Sequence, residues 1–193
     1  MKNILACLAL MLSLSSFAIS KGIGIALIVT AGDYFCDYTS IHAAIDDVTA
    51  NSEIRVTNTD IFPGNLTVDK NLTIKGGYTS YENAQNDIRV DGEKTTIDGN
   101  DSTNVLFIVD DDINLEMSAF ILTKGINDGA HFGGAITVEA DNINVILTDV
   151  IIQNSHAGEG AGIVMYGSGI ILTLNHSLIL NNIAGVMVEV FGV

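Results

Sequence analysis

The sequence predicts an all-β protein: a single-stranded, right-handed parallel β-helix with a short N-terminal capping helix. Three observations predict it. A pattern returns three times in the C-terminal half, where residues 113–124, 143–154 and 170–181 align at offsets of 30 and 27. Such a period marks a solenoid, because each unit buries its apolar face only against its neighbours. Within each copy the apolar residues alternate: Ile143, Val145 and Leu147 point one way, and Asn144, Ile146 and Thr148 the other. A period of two marks strand, not helix. A further short apolar strand precedes each pair, with Phe107 and Val109, Ile136 and Val138, Ile163 and Met165, and Val186 and Val188 as equivalents. An antiparallel sandwich is also built from short strands and turns. It would not require one pattern to return three times at similar spacing.

From the N-terminus, residues 1–20 have the form of a secretory signal. Lys2 supplies the positive charge, residues 4–17 the apolar stretch, and Ser16 with Ala18, or Ala18 with Ser20, the small residues of a cleavage site. An uncleaved anchor is the alternative, because residues 22–29 are also apolar, although Lys21 interrupts the run. Cys7 stands near the start of the apolar stretch instead of ending it, which argues against a lipoprotein. Removal of the signal leaves Cys36 alone, so no intramolecular disulfide can form.

Residues 21–52 form the expected N-terminal cap, with a helix over 40–48. Thr39 or Ser40 caps it, and Ile41, Ala44, Ile45 and Val48 make one apolar face. His42, Asp46 and Asp47 fall on the solvated side. Residues 53–193 form the coils. Within each repeat the alternation slips by one residue at a corner. After Leu147 the next inward set is Val150 and Ile152, with Asp149 at the corner; Met117 precedes Phe120 and Leu122, and Leu174 precedes Ser177 and Ile179. Gly134, Gly162 and Gly185 stand just before three of the preceding strands. Asn154 and Asn181 are expected to stack as a polar ladder, with Lys124 breaking it below. Residues 186–193 are apolar and read as mid-strand, so the coils look truncated there. That leaves a sticky C-terminal coil. The expectation is either the base of a longer repeat protein or self-association through that coil.

A chain of 193 residues is one domain's worth, and 48% hydrophobic content supplies a sizeable core. Nineteen glycines, one proline and no tryptophan suit a turn-rich β protein. The net charge of −15 argues against nucleic acid as a partner. Acidic polysaccharide would be repelled too, unless calcium bridged the two. Asn65, Asn71, Asn100 and Asn175 each begin a glycosylation sequon, relevant only in a eukaryotic secretory route.

Several segments together resemble a known family. Residues 37–46 resemble the opening helix motif of bacterial pectin-lyase-like β-helix proteins, and residues 53–56 look like the strand that follows it. Residues 71–78 and 95–100 are similar to the next stretch of that family. Gly133, Gly134, Ala135 and Ile136, taken with residues 151–154, resemble the repeats of polymorphic outer-membrane proteins and related adhesins. The resemblance covers residues 33–193. It implies a protein secreted or displayed at a bacterial surface, on a fold that hosts lyases, hydrolases, adhesins and passenger domains alike.

No catalytic set is visible. Family lyases pair calcium-binding acids with a basic residue, and beyond residue 100 the only Lys or Arg is Lys124. Asp110, Asp111 and Asp112 form the compact acid cluster, a calcium candidate that reads first as a solvated turn. The polygalacturonase pattern finds one match, Asn58-Thr59-Asp60, and no Arg-Ile-Lys follows. His131 and His156 occupy similar glycine-rich loops. With Glu159 they make a zinc or copper candidate, set against two ordinary polar loop residues. Tyr78 and Tyr81 begin a polar loop over 78–94 and could stack on sugar rings or simply pack. A second loop spans 126–133. The function expected is structural, adhesive or carbohydrate-binding, with a glycan or surface ligand as partner and no integral membrane domain after signal removal. The alternative is a polysaccharide lyase or glycoside hydrolase whose catalytic coils are missing or degenerate.

Overall fold

A computed structural model describes residues 26–29, 37–127, 133–158 and 160–185. The expected signal, Cys36, His131, Glu159 and residues 186–193 lie outside them. The described chain is mostly β, and its paired strands run parallel. After β1 (Ala26–Val29) comes α1 (Ile41–Asp47). The chain then makes successive passes of short strands. The first holds β2 (Ser52–Thr57), β3 (Ile61–Pro63) and β4 (Leu66–Val68). The second holds β5 (Leu72–Tyr78), β6 (Thr95–Asp98) and β7 (Leu106–Ile108), with α2 (Tyr81–Gln85) inserted after β5. The third holds β8 (Asn114–Thr123), β9 (Ile126–Asn127) and β10 (Ile136–Glu139). The fourth holds β11 (Asn144–Gln153), β12 (His156–Ala157) and β13 (Ile163–Tyr166). The last holds β14 (Ile171–Asn175), β15 (Leu178–Leu180) and β16 (Ile183–Ala184).

Three sheets result. One runs β1-β2-β5-β8-β11-β14, with β3 and β6 joining it through β8 and β15 through β11. The second runs β4-β7-β10-β13 and the third β9-β12-β16. Asn144 stands opposite both Asn114 and Ile171, so the predicted alignment of the repeats is the pairing register. The slip is a single left-handed residue. Ala119, Asp149 and His176 have φ of 59°, 56° and 50°. One residue out of the extended conformation turns the strand, and the alternation resumes one position later. Leu147 and Val150 are therefore both buried although three residues apart.

Ser40 caps α1, its side chain accepting from the Ala43 amide at 3.3 Å. Ile41, Ala44 and Ile45 are buried, and the helix packs on β1, β2 and β4. Lys70 closes the other end, donating to the carbonyls of Ile45 (2.9 Å) and Val48 (3.4 Å). Asp46 and Asp47 are exposed as expected. His42 is half-buried, its Nε2 3.2 Å from the Asn65 carbonyl. Ile41, Ile54, Leu66, Ile74, Leu106, Leu115, Phe120 and Leu147 belong to one continuous core.

One expectation is corrected and two details are added. The strand preceding the repeat at 113–124 turns Leu106 and Ile108 inward, not Phe107 and Val109, because Leu106 pairs with Ile136 and Ile108 with Val138. A one-residue shift exchanges the two faces of a strand. Within the segment assigned to the cap, residues 26–29 form a strand paired in register with residues 53–56. Gln153 pairs with both Leu180 and Thr123, so Asn154 stands in line with Asn181 and Lys124 as expected, and asparagine side chains also bond from pass to pass at another turn. Asn71 Nδ2 donates to Asn51 Oδ1 (3.3 Å), the Asn114 amide to Asn71 Oδ1 (2.7 Å), and Asn144 Nδ2 to Asn114 Oδ1 (3.3 Å). What Lys124, Asn154 and Asn181 share is a left-handed backbone, with φ of 50°, 56° and 55°. Asparagine tolerates that conformation better than most residues. Among the described residues no helix is long and apolar enough to cross a membrane.

Candidate functional site

Between β5 and β6 the chain leaves the sheet for residues 79–94 and folds back over its outer surface. The polar sequence of this excursion would gain little by collapsing on an apolar face, so ionic bonds hold it. Glu53 and Arg55 of β2 and Lys75 of β5 point outward from neighbouring strands in register. Arg55 Nε donates to Glu53 at 2.6 Å, and its Nη1 donates to the carbonyls of Ala84 (2.7 Å) and Gln85 (3.3 Å), at the end of α2. Lys75 Nζ bridges Glu53 (2.7 Å) and Asp87 (3.3 Å). Asp87 also accepts a short hydrogen bond from the Tyr78 hydroxyl.

These contacts set the charge states. Burial pushes the Glu53 carboxyl up, but the hydrogen bonds and charges of Lys75 and Arg55 outweigh it and hold it below its ordinary value. The Tyr78 hydrogen bond lowers Asp87, aided against a burial cost by Lys75 and Arg55. Burial, then the Asp87 bond, raises the Tyr78 phenol. Tyr78 is fully buried, packed with Ala84 and bordered by Tyr81. Its ring has no face open to a sugar. Tyr81 is half-buried against the same cluster. The two tyrosines thus anchor α2.

The far end of the excursion meets the left-handed corner of β8 and β11. Arg89 Nη1 donates to Ser118 Oγ at 3.0 Å, and Lys94 Nζ to Asp149 Oδ1 at 2.6 Å. Asn58 Nδ2 donates to Glu93 at 2.5 Å. Between these ties lies a groove of ≈ 240 Å³, with Arg89, Asp91 and Glu93 on one wall and Ser118, Thr148 and Asp149 on the other. Outward charged residues on strands read as solvated positions. Only the pairing register shows that residues from two passes converge on Asp87 and that the excursion reaches two later ones.

The other predicted residues sit apart. Asp110, Asp111 and Asp112 form the turn between β7 and β8, where Asp112 takes a left-handed φ of 61°. Asp111 accepts the Asp141 amide at 2.8 Å, and Asp141 accepts the Ser168 amide at 2.6 Å. These carboxylates bind backbone of the next pass. Asp111, Glu139, Asp141 and Tyr166 border an open depression. Among the described residues no group of three His, Cys, Asp or Glu is placed to hold a metal ion. His156 is exposed on β12, opposite Ile126 and Ile183. Its proposed metal partners His131 and Glu159 lie outside the described residues. Asn58-Thr59-Asp60 is a turn in which Asp60 accepts the Ile61 amide at 2.7 Å. No family model matches the chain, and neither does a curated protein or a solved structure.

Proposed function

We propose that the protein is a secreted or cell-surface right-handed parallel β-helix of structural or adhesive role, whose excursion over 79–94 presents a carbohydrate-binding groove. Support for the fold comes from the repeated return of the chain to the same three parallel sheets. Parallel crossovers within one sheet are right-handed in about 98% of cases. Support for the location comes from Lys2 and the apolar stretch behind it.

The observation that carries the ligand role is the groove between Arg89 and Asp149. It gathers a guanidinium, carboxylates and hydroxyls on two walls held by Lys94–Asp149 and Arg89–Ser118. Sugar hydroxyls both donate and accept, so a rim with both kinds of group fits them. The surplus of acids favours a neutral or amino sugar over a uronate. A glycan array followed by calorimetry tests this. Arg89→Ala is expected to weaken binding of the captured glycan at least tenfold, with thermal stability little changed. Absence of any captured glycan, or equal affinity in the variant, overturns the reading. Unsaturated product from polygalacturonate or alginate with calcium would make the protein a lyase instead.

A further inference from the structure

We propose that Asp91 is a site of spontaneous covalent modification, closing on the Gly92 amide to a succinimide and reopening as isoaspartate. The inference is independent of the carbohydrate role. The ring forms when the Gly92 nitrogen attacks Cγ of the protonated Asp91 carboxyl; the amide proton and the carboxyl hydroxyl leave together as water. Water then adds back at one of the two ring carbonyls. Breaking the bond from nitrogen to Cγ restores aspartate. Breaking the bond from nitrogen to the main-chain carbonyl carbon leaves the chain running through Cβ and Cγ, with the former main-chain carbonyl as a free carboxylate. Water is the only co-reactant, and the composition of the product equals that of the start.

The reaction needs a free carboxyl, a free amide and a backbone that can bring them together. Asp91 and Gly92 stand at the tip of the excursion, and both are exposed. Among the described residues no hydrogen bond or ion pair holds the Asp91 side chain or the Gly92 amide. The tip is a turn closed by one bond, from the Glu93 amide to the Val90 carbonyl at 3.2 Å. Gly92 has a φ of 85°, and a Cβ placed on it would find nothing within 4 Å. No side chain or neighbouring backbone therefore screens the attacking nitrogen. The ties of the excursion flank the turn, at Arg89 and Glu93, and leave its centre to move.

A second Asp-Gly pair, at the end of β6, lacks each of these freedoms. Asp98 Oδ1 accepts the Asn100 amide at 2.7 Å, and Oδ2 accepts Lys124 Nζ at 2.8 Å. The Gly99 amide donates to the Thr123 carbonyl at 2.9 Å. Gly99 is buried, and a Cβ on it would lie 2.5 Å from the Thr103 carbonyl oxygen and 2.6 Å from that of Lys124. Asp98 cannot turn onto Gly99 without breaking the contact between passes. Both pairs follow a β-branched residue, Val90 and Ile97, so their local chemistry is alike and the fold sets the difference. A third pair, Asp128-Gly129, lies outside the described residues.

Peptide mapping after weeks of incubation of the full chain tests the proposal. Trypsin cuts after Arg89, Lys94 and Lys124, so the two pairs fall on separate peptides, residues 90–94 and 95–124. Isoaspartate leaves the peptide mass unchanged, shifts its elution and gives a distinct fragment under electron transfer, at the carbon–carbon bond newly placed in the backbone. In the folded protein residues 90–94 are expected to gain isoaspartate roughly tenfold faster than residues 95–124, because the tip opens locally and β6 does not. In concentrated urea the two rates should become similar. Asp91→Glu, whose ring would be larger and slower to close, should lose the shifted peak at an unchanged melting temperature. No isoaspartate in residues 90–94, equal rates in the folded protein, or a bias undiminished in urea overturns the proposal.

Discussion

Asp87 is the residue on which the excursion hangs. It receives Tyr78, Lys75 and Arg55 from β5 and β2. With its side chain 42% exposed, solvent screens these pairs and each is worth little alone. Asp87→Asn keeps an acceptor for Tyr78 but loses both cations, and a cost of about 1–2 kcal/mol is expected in urea unfolding at neutral pH. The dependence on pH follows from the directions of the shifts. Glu53 and Asp87 are both lowered in the folded protein. Their contribution is complete above the unfolded values, near 4, and is lost as pH falls through the lower folded ones. The stability gap between wild type and Asp87→Asn should therefore shrink below about pH 4 and stay level above pH 6. A gap that widens in acid would mean that Asp87 carries a proton in the folded state. Of this cluster only Tyr78 stood out in the sequence, as a residue that stacks on sugar or packs; the charges around it did not. Arg55 and Lys75 stand apart in sequence, and nothing but strand pairing brings them together between Glu53 and Asp87.

Among the elements, the repeats from β8 onward were legible because alternation and slip recur together. The strand at 105–109 was not, for a physical reason: Val105, Leu106, Phe107, Ile108 and Val109 are all apolar, so the run has no phase. The register sets it, placing Leu106 opposite Leu66 and Ile136. The five-residue α2 is too short to show an apolar face, although Ser80 caps it by accepting the Asn83 amide. The glycines ahead of the third strands are alike in sequence but differ in surroundings. A Cβ on Gly134 would lie 2.5 Å from the Ala161 carbonyl oxygen and 2.7 Å from that of His156, whereas on Gly185 its nearest neighbour would be at 3.4 Å. Gly134→Ala should cost about 2–3 kcal/mol, since backbone cannot yield as a side-chain tip does, and Gly185→Ala under 1 kcal/mol. Thermal unfolding of the two variants measures the contrast; equal losses would mean that the passes are not stacked as closely there.

For the whole molecule, the charge of −15 opposes compaction through self-repulsion. Raising sodium chloride from a few millimolar to physiological strength should lift the melting temperature by several degrees, because repulsion between like charges is screened over about 8–10 Å. A falling melting temperature would show that the ion pairs under the excursion outweigh the repulsion. The family of sheets was legible at this scale, but the start of the stack was not. Pairing offsets of 20 and 43 in the first passes hide the repeat that offsets of 30 and 27 reveal. The second of those offsets contains the excursion, and the strands on either side of it still keep step. Residues 72–75 meet 115–118, and 95–98 meet 120–123. The insertion thus behaves like an exchangeable cassette. Under the proposed ligand role, heritable change within its exposed rim would vary what is recognised, while the frame beneath is inherited intact.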